Sequence, residues 1–160
     1  MVKKRVYVET SVLSYLTARL AKDELKRVHQ RLTAAWWERR LHWECFLTLT
    51  VLEEIGRGDT EAAARRLEKA ILLMELPASS EAGRLADLLI ARGLVPEKEY
   101  TDAVHLATAA IYRADYLLTW NQKHLDNVEL RFRIEELIRG QGVTPAKVIT
   151  PERLLLEELP

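Results

Sequence analysis

"VYVETSVLSYL", residues 6–16, runs Val6, Tyr7 and Val8 straight into the carboxylate of Glu9, then turns through Thr10 and Ser11 into a new apolar pattern. The first three residues read as a strand and the pattern after Ser11 as a helix. A glutamate between the two lies where the C-terminal end of a strand opens on a crevice, the usual ligand position in α/β proteins. The fold and the function both turn on which other residues reach that crevice.

Two further runs, "CFLTL" at 45–49 and "YLLT" at 116–119, read as buried parallel strands. Helical patterns separate them. Residues 22–40 carry Leu25, Val28, Leu32, Ala35 and Trp36 at helical spacing, which predicts an amphipathic helix with a basic outer side. Asp59 or Thr60 can cap "TEAAARRLEKAILLM", and Ser79 or Ser80 can cap "EAGRLADLLIAR", which stops at Gly93. Thr101 or a neighbour opens "DAVHLATAAIYRA", and a last helix is expected over 129–139, ending at Gly140. "ELP" at 75–77 reads as a short strand end, and "KVIT" before Pro151 as a final edge strand. Strands alternating with helices predict an α/β fold, a central parallel sheet with helices on both faces, in a single domain over 1–160.

At 160 residues the chain is long enough to bury a continuous core without disulfide or metal staples. Lys plus Arg and Asp plus Glu each number 24, so any attraction to a polyanion must come from local clustering rather than net charge. The single Cys45, among apolar neighbours, reads as a buried thiol in a reducing setting. No secretory leader and no apolar stretch of membrane-spanning length is found, so a cytoplasmic protein without a membrane partner is expected.

Other acids share the placement of Glu9. Glu53 and Glu54 follow the second strand on a helical turn, and Asp102 starts a largely apolar helix, where the helix dipole favours a negative charge. Asn121 follows the last core strand. Carboxylates brought into one crevice repel unless a cation compensates, and Mg²⁺ or Mn²⁺ suits an all-oxygen donor set. Such a metal can activate a water against a phosphodiester. The four His residues lack zinc spacing and no Gly-rich phosphate loop is present.

The blocks "VYVETSVLSYL", "LTLTVLEEIGRGD", "TDAVHLATAAIYRADYLLTWNQKHL" and "VITPERLL", in this order, resemble the PIN-domain family and its VapC-like toxins over essentially the whole chain. The resemblance implies a PIN-like three-layer α/β/α sandwich. It places the family's acids on Glu9, Glu54 and Asp102 as catalytic and metal-holding residues, with Glu54 followed by Gly58 fitting better than Glu53, and Asn121 at a fourth position that is often Asp. It further implies a Mg²⁺- or Mn²⁺-dependent endoribonuclease, the toxin of a type II toxin–antitoxin pair, with an RNA substrate, a cognate antitoxin and a homodimer. Thr10, Thr119, His105, Lys123 and His124 are the candidates for contacting substrate or supporting the ligands. Two departures stand out: Glu9 is one methylene longer than Asp, and Asn121 is neutral.

Each of these residues also has an ordinary structural reading. Asp102 can simply stabilise the first turn of its helix, Asn121 can cap "QKHL", and His105 can be a core histidine satisfied by a neighbour. In "RVHQRLTAAWWERRLHWE", Arg27, Arg31, Arg39 and Arg40 alternate with Trp36, Trp37 and Trp43, a mixture that suits single-stranded RNA, although packing is the better account of the tryptophans. The rival function is a PIN-like module, weakly active or inactive, that binds RNA or protein.

Overall fold

The computed structural model describes residues 2–122 and 127–157. Five parallel strands form its sheet in the order β3-β2-β1-β4-β5: β1 Arg5–Val8, β2 Glu44–Thr48, β3 Met74–Leu76, β4 Tyr116–Leu118 and β5 Lys147–Ile149. The central β1 pairs with β2 on one side and β4 on the other, with Val6 opposite both Cys45 and Tyr116. Both expected outer strands form, at the two edges of the sheet. Central strands buried on both faces read as continuous apolar runs. Accordingly Val6, Tyr7, Val8, Phe46, Leu47 and Leu118 are all at most 1% exposed.

Eight helices among the described residues flank the sheet: α1 Thr10–Thr17, α2 Glu24–Glu38, α3 Leu49–Ile55, α4 Thr60–Ala70, α5 Ser80–Ala91, α6 Tyr100–Ile111, α7 Val128–Gly140 and α8 Pro151–Glu157. One core joins the sheet to α1–α4 and α8, and a second joins α5, α6 and α7 around Leu89, Ala107, Ile134 and Ile138. Local chemistry sets where helices begin. Asp23, Asp59, Ser79 and Asn127 each accept a hydrogen bond from a backbone N–H three residues on, satisfying donors that a helix start leaves without a partner. Cys45 is buried, which pushes its thiol up to about 12, where it is inert.

Two sequence expectations change. The buried stripe of α2 is Thr33, Trp36 and Trp37, while Leu25 and Val28 are exposed (64% and 44%) and Ala35 is exposed as well. The polar residues His29 and Thr33 turn inward because they have a partner: Trp120 stacks on His29 at 4.1 Å and donates its indole N–H to Thr33 at 2.9 Å. Helix α6 starts at Tyr100, next to the expected Thr101, and carries Asp102 in its first turn as the sequence implies. Helix α8 is additional; Pro151 occupies its first position and Thr150 accepts from the Arg153 N–H at 3.2 Å, a Thr-Pro-Glu start that the sequence displays openly. The three tryptophans Trp36, Trp37 and Trp43 are all core residues, at most 5% exposed.

Phe46 lies at the centre of this arrangement, fully buried and stacked on Tyr7 at 5.4 Å. Phe46→Ala should destabilise the protein by ~3–5 kcal/mol, measured as a lower urea midpoint with an unchanged denaturant slope.

Candidate active site

The C-terminal ends of β1 and β4 lie side by side. The ladder continues past both strands, with the Glu9 N–H donating to the Leu118 carbonyl at 3.1 Å and the Thr119 N–H to the Ile149 carbonyl at 3.0 Å. This register puts Glu9 beside Thr119. Glu9 is also the N-cap of α1, and its extra methylene lets the side chain fold back onto its own helix, where Oε1 accepts from the Ser11 N–H at 2.9 Å. The Ser11 hydroxyl and the Thr119 hydroxyl, the latter at 2.8 Å, donate to the same oxygen. Glu9 is thus buried (8% exposed) with all three donors on Oε1, and no described residue donates to Oε2. Ser11 Oγ and Thr119 Oγ1 in turn accept the N–H groups of Trp120 and Asn121, both at 2.9 Å.

Glu54, on α3, is held in the same manner. Its Oε1 accepts from the Thr10 hydroxyl and from His105 Nε2, each at 2.7 Å. Glu53, its neighbour, is exposed. Burial raises the Glu54 carboxyl pKa, but the hydrogen bond and charge of His105, the Thr10 hydroxyl and Arg57 together outweigh it and hold the group below its ordinary value. An ionised Glu54 only accepts, so Nε2 of His105 carries the proton. The other ring nitrogen, Nδ1, bonds the Tyr7 hydroxyl at 2.8 Å, and Tyr7 bonds Thr48 at 3.0 Å. Burial raises the Tyr7 phenol well above its usual pKa, and it stays protonated. A buried chain thus runs from Thr48 through Tyr7 and His105 to Glu54.

A cleft of about 30 Å³ unites Glu9, Asp102, His105, Thr119 and Asn121, floored by Leu106, Leu117 and Val148. Glu54 reaches it through His105. Asn121 is exposed at the mouth, and Lys123 and His124 lie outside the described residues. Among the described residues no group of three or more His, Cys, Asp or Glu side chains is gathered closely enough to hold an ion by itself. The donors that share the cleft, two carboxylates and a carboxamide, fit a hard divalent cation that keeps several of its waters, because such ions are commonly bound through one or two protein carboxylates. Ser11, Tyr7 and Thr48 are site residues that the sequence reading passed over. Tyr7 carried a signal, since a tyrosine in a buried strand needs a hydroxyl partner.

With the geometry established, comparison with solved structures identifies the fold. The Mycobacterium tuberculosis toxin VapC20, described as cleaving the sarcin–ricin loop, is similar with a TM-score of 0.59 and 15% identity, over 76% of this chain and 93% of that one. A chain from the VapBC2 structure of Rickettsia felis, bound to a DNA fragment from its promoter, is similar with a TM-score of 0.53 and 15% identity, over 91% and 98%. The fold is that of VapC toxins, a PIN-like α/β/α sandwich. No protein-family model and no curated protein matches the sequence. No helix among the described residues is long and apolar enough to cross a membrane.

The Glu54 shift gives a stability test. A carboxyl held below its unfolded pKa stabilises the fold fully above ~4.3, the usual glutamate value, and that contribution disappears as pH falls through the lowered folded value. In chelator, the urea midpoint should therefore fall as pH is taken from ~5 to ~3, and Glu54→Gln should show a shallower fall over the same window.

Proposed function

We propose that the protein is a Mg²⁺- or Mn²⁺-dependent endoribonuclease and the toxin of a type II toxin–antitoxin pair, with an antitoxin protein as its partner and a homodimer as its working form. The observation that carries the reading is the shared cleft of Glu9, Asp102, Asn121 and Thr119 at the C-terminal ends of β1 and β4, in a fold otherwise seen in VapC toxins. Glu9, Asp102 and Asn121, with Glu54 beside them, would hold the cation. When bound, the cation supplies an activated water and neutralises charge on the phosphoryl oxygens. The chain's own residues prepare the site. Ser11 and Thr119 fix one oxygen of Glu9 and leave Oε2 for ligation, while Thr10 and His105 fix Glu54 as an ionised acceptor next to the cleft. Buried Leu117 and half-buried Leu106 give the cleft a low-dielectric floor, where charge interactions strengthen.

The purified protein should cleave a mixed RNA pool with Mg²⁺ or Mn²⁺ and not with chelator, and Asp102→Asn should reduce cleavage to background. Thr119→Val keeps the shape but removes one donor to Glu9 and one acceptor for the Asn121 N–H. It should weaken Mn²⁺ binding by ~10–100-fold in calorimetry. The rival reading, a PIN-like module that binds RNA or protein without cleaving, draws on the lack of a three-residue cluster among the described residues. Metal-dependent cleavage lost in Asp102→Asn would rule it out.

A further inference from the structure

A groove of about 670 Å³ adjoins the cleft, and Leu106, Leu117 and Val148 line both. Its far wall is α7. This helix anchors itself through the buried Ile134 and Ile138 in the core with α5 and α6, and turns Arg131 and Phe132 into the groove. Arg139 and Lys147 also line it, and Arg153 enters from α8, against a single acid, Glu135. Lys147 pairs with Glu157 and Arg139 with Glu135 at 3.6 Å. Arg153 lies near enough to Glu157 to help lower that carboxyl, but among the described residues no carboxylate forms an ion pair with Arg131 or Arg153, and both are exposed. Phe132 is 56% exposed.

We propose that this groove is the track for single-stranded RNA on one side of the scissile phosphate, with Arg131 and Arg153 meeting backbone phosphates and Phe132 stacking a base. The proposal rests on the ribonuclease reading and adds where the strand lies. Three observations converge on it. The chain is neutral overall, with 24 basic and 24 acidic residues, yet the groove collects four cations and one acid. Its volume lies in the ~300–1,000 Å³ range of small-molecule ligand pockets, room enough for a nucleotide. It opens into the cleft through shared walls, so a strand with one phosphate among Glu9, Asp102 and Asn121 has its next nucleotides delivered into the groove. Arginine next to an exposed aromatic is the combination by which single strands are held without reading their sequence.

The test uses the full chain carrying Asp102→Asn, in chelator, and a fluorescein-labelled single-stranded RNA of mixed sequence, with affinity read by anisotropy over a series of salt concentrations. Adding Arg131→Glu or Arg153→Glu should weaken binding about tenfold or more and lower the log–log salt slope by ~0.7 per lost phosphate contact. Phe132→Ala should weaken binding by roughly five- to a hundredfold and leave the salt slope unchanged. Arg92→Glu, an exposed reversal at the end of α5, serves as the control and should change neither. Thermal melts confirm that each variant is folded. Equal RNA affinity across the groove variants would overturn the track and leave the groove to a polypeptide partner. Cleavage by the unaltered protein is assayed in parallel, so a working nuclease with indifferent groove variants refutes the track alone, whereas neither cleavage nor RNA binding refutes both readings.

Discussion

The parallel pairing of β1 with β4 is the constraint on which the site depends. With Val8 opposite Leu118, the next ladder bond is the Glu9 N–H to the Leu118 carbonyl, and that bond sets the Thr119 hydroxyl at 2.8 Å from Glu9 Oε1. A slip of one residue would turn each side chain to the opposite face of the sheet, taking Thr119 from Glu9 and Tyr7 from His105. The ladder bond and the Thr119 hydroxyl therefore tie the positions of the cleft's atoms to the register of β1 and β4. The hydroxyls then complete the alignment: Ser11 and Thr119 both donate to Glu9 and accept from the backbone that follows β4.

Glu9 and Glu54 show one solution to one problem. A buried carboxylate costs stability unless it is hydrogen-bonded, while a carboxylate saturated on both oxygens has little left to offer a ligand. In each residue the described donors converge on Oε1 alone. The side chain is thereby fixed, with Oε2 unclaimed by any described residue. This arrangement also explains how a glutamate stands where the resemblance to the PIN-domain pattern implies aspartate. The additional methylene is taken up by the fold-back onto the Ser11 N–H, which makes Glu9 a helix cap as well as a site residue.

Much of this was legible in the sequence because it depends on local chemistry. Apolar runs marked β1, β2 and β4, Asp59 and Ser79 marked helix starts, and the strand-to-helix placement of Glu9 marked the crevice. The misreadings share a cause, which is that the deciding partner is distant in sequence. The inner face of α2 follows from Trp120, more than eighty positions away, which gives His29 and Thr33 a reason to be inside. His105 could be seen to lie one turn beyond Asp102, but its role is set by Tyr7 and Glu54, from two other elements. Helix α8 is a different case, since its Thr-Pro-Glu start was plain and only its following apolar residues, Leu154 and Leu155, needed a core to pack against.

Net charge was the least informative property of the chain, because zero is the sum of segregated parts. Acids line the cleft at the ends of β1 and in α6, and cations line the adjoining groove on α7, β5 and α8. A polyanion approaching such a surface is attracted by the groove and repelled by the cleft, unless a cation in the cleft reverses the sign there. On the proposed function, substrate engagement and metal loading would be coupled by electrostatics: a phosphate drawn into the cleft would favour the cation, and the cation the phosphate. Linkage requires the two effects to be equal in free energy. Neutral Asn121 in place of a fourth acid would weaken the cleft's repulsion for a polyanion as well as its attraction for a cation, and so would shift that coupling without abolishing it.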